Sequence, residues 1–107
     1  MKLLYKEHKV ELTLDERRTV YYILFHIMDA DGVEKPEEMA FLDEIFAEFG
    51  LSIAEFDHVE LYDMRYLKER LSEFTPEKKN YAKSLFYRMA SCDGYVDHRE
   101  MVMIENL

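Results

Sequence analysis

The stretch Val20-Tyr21-Tyr22-Ile23-Leu24-Phe25-His26-Ile27-Met28-Asp29-Ala30-Asp31-Gly32 decides the fold. Wound as a helix, it sets Tyr21, Leu24, Phe25 and Met28 on one side and Val20, Ile23 and Ile27 on another, so it is apolar almost all round. A helix of that kind belongs at the centre of a domain. Asp31-Gly32 stops it, glycine supplying the left-handed conformation that helix ends favour. Upstream, Thr13-Leu14-Asp15-Glu16 reads as a capping box: the Thr13 hydroxyl accepts an orphan N–H and Glu16 reaches back to the cap residue's own N–H. The predicted helix spans Leu14 to Ala30.

The rest of the chain follows the same rules. Pro36 suits a first helical turn, where its missing N–H would have been unpaired, and Met39, Leu42, Phe46 and Phe49 form a stripe before Gly50. Ser52-Ile53-Ala54-Glu55 is a second capping box, opening a short helix, and Asp63 caps another whose Met64, Leu67, Leu71 and Phe74 face inward. Thr75-Pro76-Glu77 opens a second long helix to Cys92, with Tyr81, Leu85, Phe86 and Met89 inward, and Asp97-His98-Arg99-Glu100 opens the last. Residues 1–12 give no consistent period, leaving a helical extension, an irregular arm and a short strand all open. The expectation is an all-α fold: one compact domain over residues 13–107, of about five to six helices.

An internal repeat is also visible. Sliding the chain by 62 residues sets Asp31, Gly32, Glu38 and Met39 on Asp93, Gly94, Glu100 and Met101, and Phe25 and Leu42 on Tyr87 and Ile104. The chain thus reads as a helix-loop-helix duplication, with halves at about 13–50 and 75–107 sharing one core. The two long helices should pack together at its centre.

Composition narrows the function. A chain of 107 residues buries roughly two thirds of its unfolded surface and needs no disulfide or structural metal to fold. Its 14 Lys and Arg against 23 Asp and Glu give a net charge of -9, which repels phosphate backbones, so no nucleic-acid partner is expected. The longest mostly apolar run, Val20 to Met28, falls well short of the about 20 residues that span a bilayer. With one cysteine, Cys92, and no secretory leader pattern, the protein is expected to be cytoplasmic. His8, His26, His58 and His98 lack zinc-type spacing with cysteine or acidic ligands, and no nucleophile, base and acid set or glycine-rich phosphate loop stands out. No enzymatic activity is expected. His26 reads as packed against the core and His98 as a solvent-facing first-turn residue.

Chemistry concentrates at the two loops. The first, with the turn that follows, carries Asp29, Asp31, Glu34, Glu37 and Glu38, and the second carries Asp93, Asp97 and Glu100. Oxygen donors at this density suit a hard divalent cation, calcium or magnesium, and the candidate ligands are Asp29, Asp31, Glu38, Asp93, Asp97 and Glu100. The loops are not EF-hands: with Gly32 at the sixth position Glu38 takes the twelfth, but the first, ligating position falls on Ile27, and on Met89 in the second copy. Helix capping competes as an explanation. Glu38 and Glu100 stand where a capping glutamate stands, and acids in a first turn interact favourably with the helix dipole by roughly 0.3 to 1 kcal/mol each. Asp31 and Asp93, at the negative ends of helices, are less well explained by capping alone.

At these residues the chain resembles the TerB-like (tellurite resistance protein B-like) family. Its signature is an Ala-Asp-Gly-type turn followed by a glutamate, present twice: here Asp29-Ala30-Asp31-Gly32 with Glu38, and Ser91-Cys92-Asp93-Gly94 with Glu100. The resemblance runs from about Leu14 to the C-terminus, with Cys92 replacing the second alanine. It implies an all-helical fold, no established enzymatic activity, association with tellurite and other stress responses, and suggested cation binding through the acidic turns. The alternative is a protein-interaction adaptor whose acidic loops are purely structural caps. Tyr62, Tyr66, Tyr87 and Tyr95 would then contribute an exposed aromatic patch for a protein partner.

Overall fold

The computed structural model describes residues 10–30, 35–52, 63–92 and 98–107. Within them lie five helices and no strand: α1 Leu14–Met28, α2 Pro36–Glu48, α3 Met64–Ser72, α4 Pro76–Ser91 and α5 His98–Glu105. The all-α expectation holds. The short helix expected after Ser52 and the N-terminal segment lie outside the described residues, apart from Val10, Glu11 and Leu12.

The helices start where their caps direct. Thr13 Oγ1 accepts the Glu16 N–H at 3.1 Å while the Thr13 N–H donates to Glu16 Oε1 at 2.8 Å, which completes the capping box of α1. Asp63 accepts the Tyr66 N–H at 3.0 Å to open α3, and Thr75 accepts the Lys78 N–H at 3.3 Å to open α4. Each cap satisfies a donor that has no partner inside its helix. The long helices end slightly earlier than predicted. Asp29 is the C-cap of α1, and Cys92 that of α4.

The end of α2 is closed by a Schellman motif, the Leu51 N–H donating to Phe46 O at 3.2 Å and the Gly50 N–H to Ala47 O at 3.1 Å. Gly50 takes φ +68°, a left-handed conformation that glycine adopts without a Cβ penalty. Arg17 reinforces this end from α1, its Nη1 donating to Phe49 O at 2.7 Å.

As expected for a helix apolar almost all round, α1 packs against each of the other four helices. Its Val20, Ile23, Leu24 and Ile27 meet Ala82, Leu85, Phe86 and Met89 of α4 in one buried cluster, completed by Leu67 and Leu71 of α3, Phe41, Leu42 and Ile45 of α2 and Ile104 of α5. Arg70 of α3 pairs with Asp15 in the first turn of α1. The principal contacts have a simple order. Exchanging α1 with α4 and α2 with α5 maps the contacts among these four helices onto themselves, and α3, whose principal contact is with α1, is the exception.

Two predicted faces need correction. Phe25 is 37% exposed, whereas Tyr22 is buried and takes its place in the core. On α2, Met39 is 46% exposed, and the buried face runs Glu38, Phe41, Leu42, Ile45 and Phe49. Both candidate stripes of α2 have helical spacing. The one that the core selects contains a carboxylate, which is why apolar periodicity favoured its neighbour.

Candidate functional site: two buried glutamates beside the acidic loops

Glu38 and Glu100 are the buried acids of the described core, at 1% and 0% exposure. Each lies in the first turn of the helix that follows an acidic loop, α2 after residues 29–35 and α5 after residues 92–97. Each also begins an apolar face at the same spacing: Phe41, Leu42 and Ile45 follow Glu38, and Met103, Ile104 and Leu107 follow Glu100, all buried or half-buried. The carboxylates are thus carried inward by the helix face that anchors α2 and α5 to the core.

A capping glutamate needs only to reach one N–H at a helix start near the surface, as Glu16 does on α1. Glu38 and Glu100 are instead withdrawn from solvent, where a carboxylate is costly unless positive charge or convergent donors compensate it. Lys35, the N-cap of α2, makes no side-chain cap hydrogen bond, so this helix start relies on Pro36 rather than on the Ser or Thr of a capping box.

The other candidate ligands are placed as follows. Asp29 is the exposed C-cap of α1. Asp31, Asp93 and Asp97, together with Gly32 and Gly94, lie outside the described residues. Among the described residues, no group of three or more His, Cys, Asp or Glu side chains is arranged to hold a metal ion. Glu38, Glu100 and Asp29 alone do not make a coordination sphere, and a cation site at either loop requires the loop aspartates.

Several positions 62 residues apart have matching burial, although Tyr22 is buried and Ser84 exposed. Val20 and Ala82, Ile23 and Leu85, Leu24 and Phe86, and Ile27 and Met89 are all buried, as are Leu42 and Ile104. Phe25 and Tyr87 are both exposed, at 37% and 39%. Cys92, which forms no disulfide, is half-buried like Ala30, 62 positions earlier, and His98 is exposed as predicted for a first-turn residue. Of the tyrosines expected at a surface, Tyr66 and Tyr87 are exposed, whereas Tyr62 and Tyr95 lie outside the described residues. Among the described residues, no helix is long and apolar enough to cross a membrane.

No protein-family model, curated protein or solved structure matches the chain.

Proposed function

We propose that the chain is a non-enzymatic, TerB-like helical module of two duplicated helix-loop-helix halves that binds a divalent cation, calcium or magnesium, at each acidic Asp-Gly loop. The observation that carries this reading is the burial of Glu38 and Glu100 at matching positions beside the two loops. A hard cation prefers several oxygen donors, and a buried glutamate on a rigid helix supplies a preoriented one. Asp31 with Asp29, and Asp93 with Asp97, supply further carboxylates from the adjoining loops. A bound cation in turn offsets the cost of burying the glutamate. Burial of a glutamate recurs beside both loops, which favours a shared purpose over an accident of packing at either.

Duplication accounts for the interchangeable contacts of α1 with α4 and of α2 with α5, and for the matched burial 62 residues apart. In a cell, such a module would serve a tellurite-type or other stress response by sensing or buffering a cation rather than by turning over a substrate.

The reading is tested by thermal denaturation with and without millimolar calcium or magnesium, on the native sequence and on Asp31→Asn and Asp93→Asn. The expected result is metal-dependent stabilisation that each substitution reduces. Absence of stabilisation by either metal would defeat it.

A second reading is favoured by the matched exposure of Phe25 and Tyr87. Aromatic side chains kept at the surface at equivalent positions suit an adaptor that docks a protein partner while its loops serve only as caps. Substituting both by serine would then abolish partner capture while leaving the helical fold intact, and no calcium- or magnesium-dependent stabilisation would be seen in either protein.

A further inference from the structure

At the opposite end of the α1–α2 hairpin from the first acidic loop, a cleft of about 380 Å³ opens between Val10, Glu11, Leu12, Arg17, Glu48, Phe49 and Tyr81. It lies near the start of α1, roughly 18 Å along the helix from Asp29 at 1.5 Å per residue. Its size is at the small end of ligand pockets, about 300 to 1,000 Å³.

Arg17 is fixed there. Its Nε donates to Leu12 O at 3.2 Å and Thr13 O at 3.4 Å, and its Nη1 donates to Phe49 O at 2.7 Å. These contacts leave Nη2 without a hydrogen bond among the described residues. A guanidinium presents five donors in a planar fork, so its outer edge remains available to an acceptor. Glu11 and Glu48 line the same cleft, yet neither forms an ion pair with Arg17 or with any other described residue. Carbonyl bonds on Arg17 explain why the charges stay apart: they pin the guanidinium to the backbone. Phe49 and Tyr81 line the same cleft, Phe49 almost wholly buried and Tyr81 half-buried.

We propose that this cleft binds a free α-amino acid with an apolar or aromatic side chain. Its carboxylate is received by the outer edge of Arg17, its ammonium by Glu48 and Glu11, and its side chain by Phe49 and Tyr81. A simple anion is disfavoured by the two glutamates and a simple cation by Arg17. A zwitterion satisfies both.

The test is an amide NMR titration of the full chain with L-phenylalanine, N-acetyl-L-phenylalanine and L-phenylalaninamide, the last two each lacking one of the charges. The expected result is saturable shifts at Arg17, Glu48, Phe49 and Tyr81 for L-phenylalanine alone. Glu48→Gln, an exposed position outside the core, should weaken binding roughly tenfold, the value of one charge-assisted contact. No saturable shift with L-phenylalanine, equal binding of either analogue, or unchanged affinity in Glu48→Gln would each overturn the assignment.

Discussion

Lys78 Nζ lies 3.0 Å from Glu16 Oε1 and 3.2 Å from Glu16 Oε2, and the two residues hold the same place, three after the threonine caps of α4 and α1. They are 62 positions apart, the offset of the sequence repeat. The first turns of α1 and α4 meet at this pair. Identical acids there would repel each other. Glutamate on one helix and lysine on the other turn the same meeting into a partly shielded ion pair.

Replacing Lys78 by methionine should therefore cost about 0.5 to 1 kcal/mol, in the range of ion pairs with good geometry. Lys78→Glu should cost more, because it restores like charges at the α1–α4 contact. Urea denaturation of the two variants measures the difference, and equal stabilities would argue against a direct pairing.

The pair also has a pH signature. Burial is the largest single influence on Glu16 and favours its neutral form, but the Thr13 N–H, Lys78 and the Thr13 hydroxyl together outweigh it and hold the pKa below the ordinary glutamate value. A depressed folded-state pKa contributes stability that is present above the unfolded value, about 4.3, and is lost as pH falls through the folded one. The stability gap between the native sequence and Glu16→Gln should thus narrow on acidification below the ordinary glutamate range. A gap that stays constant across this range would contradict the linkage.

Gly50→Ala should destabilise by about 1 to 2 kcal/mol through backbone strain alone, since a left-handed conformation disfavours any side chain with a Cβ. The nearest atom to an added Cβ is Arg17 Nη1 at 3.9 Å, an ordinary contact, so crowding does not contribute. Thermal or chemical denaturation reads this loss directly.

Phe86 is fully buried in α4 at the central helix pair. Phe86→Ala should cost about 3 to 5 kcal/mol from lost burial and the cavity left behind. Tyr87→Ala, one residue on, should change stability by less than about 0.5 kcal/mol because that side chain is largely exposed. Equal effects at the two positions would contradict the placement of the core.

Much of this architecture was legible from local chemistry. Thr13, Asp63 and Thr75 announce helix starts because their side chains accept specific backbone donors, and Gly50 announces a stop because glycine takes the left-handed conformation without a Cβ penalty. Leu67, Leu71, Leu85, Phe86 and Met89 are buried as their spacing predicts. Periodicity failed where a polar group entered the core: it chose Met39 over Glu38 on α2, since hydropathy has no means of recognising a buried carboxylate. The useful signal was present in the repeat, where glutamate recurs with apolar residues three and four positions on. The cleft at Arg17 was illegible because Glu11, Arg17, Glu48 and Tyr81 are brought together only by the meeting of helix ends.

The most direct test of the central claim is calorimetric titration with calcium of the native sequence, Glu38→Gln and Glu100→Gln. Each substitution keeps the shape of the buried side chain and removes its charge. The account predicts saturable binding at two sites in the native sequence, one site lost in each single variant and both in the double variant. Absence of binding heat and of thermal stabilisation in the native sequence, or undiminished binding in the double variant, would contradict it.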